Sequence, residues 1–249
     1  MPRISVVIIT LNEERNIRRC LESVRHLTDD IVVVDSCSTD DTENICREYG
    51  VRFVTQPWLG YSEQKNLGNR LAANDWILSI DADEALDKTL QQSIMTADMS
   101  SETRMFSMNR MVNYCGKWVR HCGWYPDKKT RLFNRKSTQW KGLIHESLTN
   151  SNNMEVVHLK GDILHYTYYN TDEHYRQADK FSTMTAQQAY NKGKKSSWFK
   201  ILINPCWKFV RDFVIKLGFL DGHTGFTICK ISAYATYQKY KKLRDLWQK

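Results

Sequence analysis

Four short apolar runs open the chain at regular intervals, each followed by a stretch of different rhythm. Ile4-Ser5-Val6-Val7-Ile8-Ile9-Thr10 is β-branched and almost wholly apolar, as a central strand of a parallel sheet covered on both faces must be. Ile31 to Val34, Val51 to Thr55 and Trp76 to Ile80 repeat the pattern. Between them apolar residues recur at helical spacing. Ile17, Cys20, Leu21 and Val24 follow Asn12, which can cap a helix, and Glu13 and Glu14 suit its positive N-terminal end. Two further helices are expected, one leading from Asp40 to near Gly50 and one from about Ser62 to Ala73. Strands alternating with helices imply right-handed βαβ crossovers, a parallel sheet, and a ligand crevice at the carboxyl ends of the strands.

Those ends are where the polar residues fall: Thr10-Leu11-Asn12-Glu13, Asp35, and Asp81-Ala82-Asp83-Glu84. Side chains at i and i+2 of an extended chain point the same way, so Asp81 and Asp83 can converge on one point. Hard cations such as Mg²⁺ and Mn²⁺ take oxygen ligands, one or two carboxylates plus substrate phosphates, so the pair suits a diphosphate substrate. A solvated turn that opens the next helix is the other reading of a lone Asp-X-Asp; polar residues at three strand ends weigh against it. There is no Gly-X-Gly-X-X-Gly after the first strand and no Gly-Lys-Ser/Thr phosphate loop, which disfavours a dehydrogenase or a P-loop enzyme. Phosphate handling is left to a metal and to basic side chains, with Lys65 and Arg70 on the helix before the acidic strand as candidates.

Taken together, Thr10 to Glu14, Val33-Val34-Asp35-Ser36-Cys37-Ser38-Thr39-Asp40-Asp41-Thr42, Gly60-Tyr61-Ser62-Glu63-Gln64-Lys65-Asn66 and Asp81 to Glu84 resemble family 2 glycosyltransferases of the GT-A fold. The resemblance implies an α/β, Rossmann-like nucleotide-diphospho-sugar transferase domain. It implies that Thr10, Asn12 or Glu13, and Asp35 hold the nucleotide of a sugar donor, that Lys65 lies by the base or phosphates, that Asp81 approaches the ribose or the metal, and that Asp83 coordinates the metal. GT-A enzymes often add a late histidine to that metal, which points to His165; a buried, hydrogen-bonded histidine is the alternative.

Beyond Asp87, expected to cap a helix near Leu90 to Ala97, the chain turns to short strands: Met105 to Val112, Thr130 to Phe133 and Glu155 to Leu159. They suggest an antiparallel extension. Within it Lys128-Lys129-Thr130-Arg131-Leu132-Phe133 and Trp140-Lys141-Gly142-Leu143-Ile144-His145-Glu146 gather cations, aromatics and a titratable pair. Sugar transfer needs a base for the acceptor hydroxyl and positive charge for the departing diphosphate. Arg131 is the expected clamp on that diphosphate. Glu146 is the expected base and His145 the second choice, because family 2 enzymes resembling lipopolysaccharide-core glycosyltransferases carry a similar His-Glu after a tryptophan.

Composition changes the picture at the C-terminal end. The chain carries a net charge of +8. Residues 192 to 249 hold 13 of the 36 Lys+Arg and 3 of the 28 Asp+Glu, or +10, which leaves −2 for residues 1 to 191. Asp172 is expected to cap a long helix to about Asn191, and Lys192 to Ser197 reads as a linker. After it Trp198, Phe199, Trp207, Phe209, Phe213, Phe219 and Phe226 lie among Lys200, Lys208, Arg211 and Lys216. That interleaving suits an amphipathic helix on an anionic bilayer surface. A Lys-rich helix also attracts nucleic acid, but the density of Trp and Phe favours the membrane. No uncharged apolar run approaches the roughly 20 residues that cross a bilayer, and seven cysteines without a Cys-X-X-Cys pair fit a reducing compartment.

The expected organisation is a nucleotide-sugar-binding half over 1–98, an acceptor and catalytic half over 99–191, and a helical membrane-surface extension over 192–249. The expected activity is metal-dependent (Mn²⁺ or Mg²⁺), inverting transfer from a nucleotide-diphosphate sugar, with UDP-sugars favoured. The expected acceptor is a lipid-linked saccharide at the cytoplasmic face of a bacterial inner membrane, and no nucleic-acid partner is expected. The rivals are a membrane or nucleic-acid binding module with a degenerate GT-A domain, and a nucleotidyltransferase.

Overall fold

Ile4–Thr10 forms β1, and all seven residues are buried; a run without a polar face is what two covered faces require. The computed structural model describes residues 3–142, 146–149 and 153–248. The chain divides into two compact units, Met1–Arg110 with Asp127–His165, and Met111–Pro126 with Tyr166–Lys249.

After β1 come α1 (Ile17–Val24), β2 (Ile31–Asp35), α2 (Thr42–Glu48), β3 (Arg52–Thr55), α3 (Tyr61–Leu71), β4 (Trp76–Asp81), β5 (Glu84–Leu86) and α4 (Lys88–Met95). They are followed by β6 (Arg104–Tyr114), β7 (Lys117–Val119), β8 (Asp127–Asn134), β9 (Trp140–Lys141), β10 (Ser147–Leu148) and β11 (Glu155–Tyr168). The main sheet has the order β3-β2-β1-β4-β8-β6-β11-β5. β1 pairs in parallel with β2 and β4, and β2 with β3. The pairs β4–β8, β8–β6, β6–β7 and β11–β5 are antiparallel, the expected extension. Register brings the strand ends together, with Thr10 opposite Asp35 and Ile9 opposite Asp81.

Helices cover both faces of the parallel strands. α1 buries Ile17, Cys20, Leu21 and Val24 in one cluster with Val6, Ile8 and Val33. α3 lies on the other face, and Gly68 is the reason it can lie so close: a Cβ there would sit 2.3 Å from Val7 Cγ1 and 3.2 Å from Val34 Cγ2. Helix-interior glycine is unfavourable by roughly 0.5–1 kcal/mol relative to alanine, a cost accepted here for contact with the sheet.

Three local expectations need correction. Asn12 does not cap α1, whose N-cap position is Asn16; Asn12 has a left-handed backbone, φ 54°, and its side chain accepts from the Thr39 amide at 2.8 Å. Asn170 rather than Asp172 caps the long helix α5 (Thr171–Asn191), accepting from the Glu173 amide. The strand expected over Glu155 to Leu159 continues to Tyr168, carrying His165 with it. Asp87 does cap α4, accepting from the Leu90 amide at 2.6 Å.

The second unit is helical, with α5, α6 (Trp198–Val210) and α7 (Gly222–Leu246). Pro205 lies inside α6. Tyr114, Val119, Cys122, Tyr168, Ile228 and Cys229 form its core with Trp124, Phe209 and Phe213 against them. α5 and α7 are joined by Ala186, Ala189 and Leu243 and by Lys242 Nζ to Asp179 Oδ1 at 2.6 Å. Among the described residues no helix is long and apolar enough to cross a membrane.

Candidate active site

The first unit holds a chain of alternating charges at the carboxyl end of β4. Lys65 on α3 is 1% exposed and lies 2.7 Å from Glu146 Oε1 and 3.2 Å from Asp81 Oδ1. Arg131 on β8, 5% exposed, reaches Asp81 Oδ2 at 2.8 Å and Glu84 Oε1 at 3.0 Å through one nitrogen. Arg110 extends the series to Glu84 at 3.4 Å and Asp127 at 2.8 Å. Each carboxylate thus meets a cation, which burial demands. Burial alone would raise the Asp81 pKa, but the adjacent Arg131 and Lys65 hold it well below the usual carboxylate range. Asp81 is therefore ionised at any physiological pH.

Local sequence explains how Lys65 is placed. Ser62, Lys65, Asn66 and Asn69 follow helical spacing on α3, and all are buried. Asn66 clasps β9, donating to the Trp140 carbonyl at 2.9 Å and accepting from its amide at 3.0 Å. Ser62 Oγ donates to the Gly142 carbonyl at 2.6 Å. These bonds set the Trp140 ring over the Lys65 ammonium, 4.9 Å from its centroid, a favourable arrangement for a desolvated cation.

A second cluster joins the ends of β1 and β2. Asp35, 2% exposed, accepts from the Ser38 amide at 2.8 Å. The loop it organises returns to the other strand end: Ser38 Oγ accepts from the Asn12 amide at 2.8 Å, and Thr42 Oγ1 from the Glu13 amide at 2.9 Å. Thr10 Oγ1 is buried with no hydrogen-bond partner among the described residues. Burial pushes the Glu13 carboxyl up to about 7, against the hydrogen bond from Asn16, and Asp83 and Asp40 add to the rise.

Asp83, in the turn after β4, and His165, on β11, meet with Oδ2 and Nε2 3.0 Å apart. Burial opposes charge on the imidazole, but the hydrogen bond and charge of Asp83 outweigh it and raise the His165 pKa. A carboxylate oxygen and an imidazole nitrogen at one point, near the Glu13 carboxyl that burial above all pushes up, are donors a divalent cation could take. Among the described residues no three His, Cys, Asp or Glu side chains form a metal-sized group. The two donors fit an ion that draws its remaining ligands from water and diphosphate, the usual habit of Mg²⁺.

A cavity of about 450 Å³ is lined by Asp81, Arg110, Arg131, Trp140 and Glu146 together with Lys128 and Lys129 of β8. Trp58 and Tyr61, both largely exposed, stand edge to face at 4.7 Å. Burial raises the Tyr61 hydroxyl pKa, and the negative field of Glu146, Asp81 and Asp83 raises it further.

Of the residues singled out from sequence, Lys65, Asp81, Arg131 and Glu146 are thus joined in one network. Thr10, Asn12, Glu13 and Asp35 share the neighbouring loop cluster, and Asp83 pairs with His165. His145 lies outside the described residues. Arg70 is exposed at the far end of α3. Glu84 and Arg110 were missed: Glu84 is 1% exposed, and besides the two arginines it accepts from the Asp81 amide at 3.0 Å. An acid directly after Asp-X-Asp was the only sequence signal. The buried polar stripe of α3, Ser62, Lys65, Asn66 and Asn69, was also missed apart from Lys65, although its helical spacing was there to read.

Comparison with known proteins places this geometry among relatives. The description of glycosyl transferase family 2 matches residues 5–151. An uncharacterized glycosyltransferase of Rickettsia prowazekii is 33% identical over 99% of this chain and 88% of its own. The lipopolysaccharide core biosynthesis glycosyltransferase LpsC of Rhizobium meliloti is 28% identical over 95% of this chain and 93% of its own. Among solved structures, the mannosyltransferase PcManGT from Pyrobaculum calidifontis, in complex with GDP-Man and Mn²⁺, is similar with a TM-score of 0.55 at 17% identity, covering 98% of this chain and 88% of that one. That similarity is one of fold, the GT-A fold.

Proposed function

The chain belongs to glycosyl transferase family 2, and from that premise we propose that this glycosyltransferase moves a sugar from a nucleotide-diphosphate donor to a hydroxyl of a lipid-linked saccharide. In this reading the transfer inverts the anomeric centre and depends on Mn²⁺ or Mg²⁺, and UDP-hexoses are the first donors to test. The observation that carries the proposal is the single buried Lys65 joining Asp81, on the nucleotide side, to Glu146, on the acceptor side, along one cavity wall.

Thr10, Asn12, Glu13 and Asp35 take the nucleoside, where the Thr10 hydroxyl, without a partner among the described residues, and the Asp35 loop supply polar contacts. Asp81 receives the ribose hydroxyls, already ionised and held from two sides. Asp83 and His165 would hold the metal, which when bound supplies positive charge to the diphosphate. Glu146 accepts the proton of the acceptor hydroxyl. The acceptor oxygen then bonds to the anomeric carbon as the bond from that carbon to the diphosphate breaks, and the electron pair leaves with the diphosphate. Lys65 keeps the Glu146 carboxylate aimed while this happens. Arg131, lining the same cavity, faces the departing diphosphate with a permanent charge while it braces Asp81 and Glu84. The exposed Trp58 and Tyr61 rings offer faces against which a saccharide acceptor can stack.

The similarity to LpsC over most of both chains supports a lipopolysaccharide-core or related acceptor, at the inner face of a bacterial inner membrane. The test is a screen of nucleotide sugars for metal-dependent transfer or hydrolysis, run on wild type, Asp83→Ala and Glu146→Gln. UDP with Mn²⁺ should raise the melting temperature of wild type and of Glu146→Gln but not of Asp83→Ala, and Glu146→Gln should lose transfer. Stabilisation by no nucleoside diphosphate would remove the donor assignment. Release of pyrophosphate from a nucleoside triphosphate would replace transfer with nucleotidyl chemistry.

A further inference from the structure

A second cavity, of about 430 Å³, lies within the helical unit and shares no lining residue with the candidate active site. Five lysines line it: Lys192, Lys194 and Lys195 from the segment between α5 and α6, Lys200 from the first turn of α6, and Lys239 from α7. No acidic residue lines it, and among the described residues none of the five lies within ion-pair distance of a carboxylate. Lys242, one turn beyond Lys239, is by contrast paired with Asp179.

The cavity is built rather than formed by loose chain. The Gly193 amide donates to the Tyr190 carbonyl at 2.8 Å and the Lys194 amide to the Ala189 carbonyl at 3.0 Å. Trp247 Nε1 donates to the Lys194 carbonyl at 2.9 Å, and its ring, 4.9 Å from that of Tyr190, also carries the Lys195 ammonium at 5.2 Å. Five lysine side chains around one space, without a carboxylate among the lining residues, create a positive field that an anion relieves. Lysine is a compact charge well suited to phosphate.

The helix that leaves this cavity faces water with its apolar side. Positions 198, 199, 200, 202, 203, 206, 207 and 210 are exposed, while 201 is buried and 204, 205, 208 and 209 are half-buried. Apart from Lys200 the exposed set is Trp198, Phe199, Leu202, Ile203, Cys206, Trp207 and Val210, with Phe199 71% and Leu202 61% exposed. Val214 and Ile215 continue it at 52% and 60%. An unbroken apolar row of this length on a water-facing helix marks a binding surface.

We propose that this unit docks on an anionic bilayer, the apolar row of α6 entering the headgroup boundary while the five-lysine cavity receives a lipid headgroup phosphate. The aliphatic members of the row find nothing to contact on a nucleic-acid backbone, and a second copy would bring an equally basic tail against this one. An anionic bilayer offers phosphate beside the lysines and hydrocarbon beneath Trp198, Phe199 and Leu202. The inference is independent of the donor chemistry and would bring the enzyme to the surface where a lipid-linked acceptor resides.

The experiment is co-sedimentation of the full chain with phosphatidylcholine vesicles with and without phosphatidylglycerol, at low and high salt. Wild type should prefer the anionic vesicles. The Lys194→Ser/Lys195→Ser variant should bind them on the order of 30-fold more weakly at low salt, with the difference shrinking at high salt. Phe199→Ser/Leu202→Ser should weaken binding to anionic vesicles at both salt levels. Lys230→Ser/Lys241→Ser removes the same charge from exposed positions outside the cavity and should lose much less. An equal loss in that control would replace the cavity with diffuse charge, and cavity and row variants that both bind like wild type would overturn the proposal. So would a preference for duplex DNA over anionic vesicles. All the substituted residues are exposed, and unchanged melting temperatures and nucleotide-sugar hydrolysis separate this result from loss of fold or of the donor site.

Discussion

His174 should make the helical unit acid-sensitive by a predictable amount. Its ring is 6% exposed, hydrogen-bonded to the Tyr114 hydroxyl at 3.1 Å, and packed against the rings of Tyr168 and Trp124 at 4.6 and 5.7 Å. Burial lowers its pKa from the usual 6.5 to about 4. The unfolded chain therefore takes up a proton at a pH where the folded chain does not, so stability falls as pH drops from about 6.5 towards about 4 and is fully present above that window. At 1.36 kcal/mol per pH unit, the loss between about pH 7.5 and about pH 4.5 is ~2.5 kcal/mol. Carboxylates add their own acid sensitivity, so the measurement is a difference. Urea unfolding and amide exchange over α5 should be compared across that range for wild type and His174→Gln, which keeps a partner for Tyr114 without titrating. The wild-type curve should fall faster by that amount. Parallel curves, or an imidazole resonance titrating near 6.5, would refute the reasoning.

Gly68→Ala should cost about 1–3 kcal/mol by overpacking, because its Cβ would meet Val7, and Gly68→Ala/Val7→Ala should recover part of it; urea unfolding checks both. The first variant should also lose turnover, since α3 carries Lys65. Arg131→Met should destabilise by about 3–5 kcal/mol by leaving Asp81 and Glu84 short of a counter-charge, and adding Glu84→Gln should restore some of it in a double-mutant cycle. Asn170→Ala should cost about 1 kcal/mol and speed exchange at the Glu173 amide, whereas Asp172→Ala should leave that amide protected.

The parallel half of the sheet was legible because strands buried on both faces must be mostly apolar, and β1, β2 and β4 show that composition with only Ser5 and Ser79 inside the runs. The site was legible wherever one strand end carried its own polar residue, as at Thr10, Asp35 and Asp81. What escaped depends on partners far apart in sequence. Nothing near Glu84 announces Arg110 or Arg131, and nothing near Trp140 announces Asn66. The helix caps failed for a different reason: Asn12 and Asn16 are equally able to cap, and the choice is made by the loop from Ser38 to Thr42, which claims Asn12. The far half of β11 was hidden by Gly161, at φ 98°, and by the polar residues around it, which read as the end of a strand.

Glu84 has a consequence for engineering. The string Asp81-Ala82-Asp83-Glu84 looks portable, a four-residue cassette that could be moved to the end of another strand. Its last residue, however, sits in the dry interior and holds two arginines that arrive from β6 and β8. A graft of the four residues alone would bury an unanswered carboxylate and leave Asp81 without its brace. The smallest transplantable unit is three strand segments, and libraries that vary positions 81 to 84 should vary 110 and 131 with them.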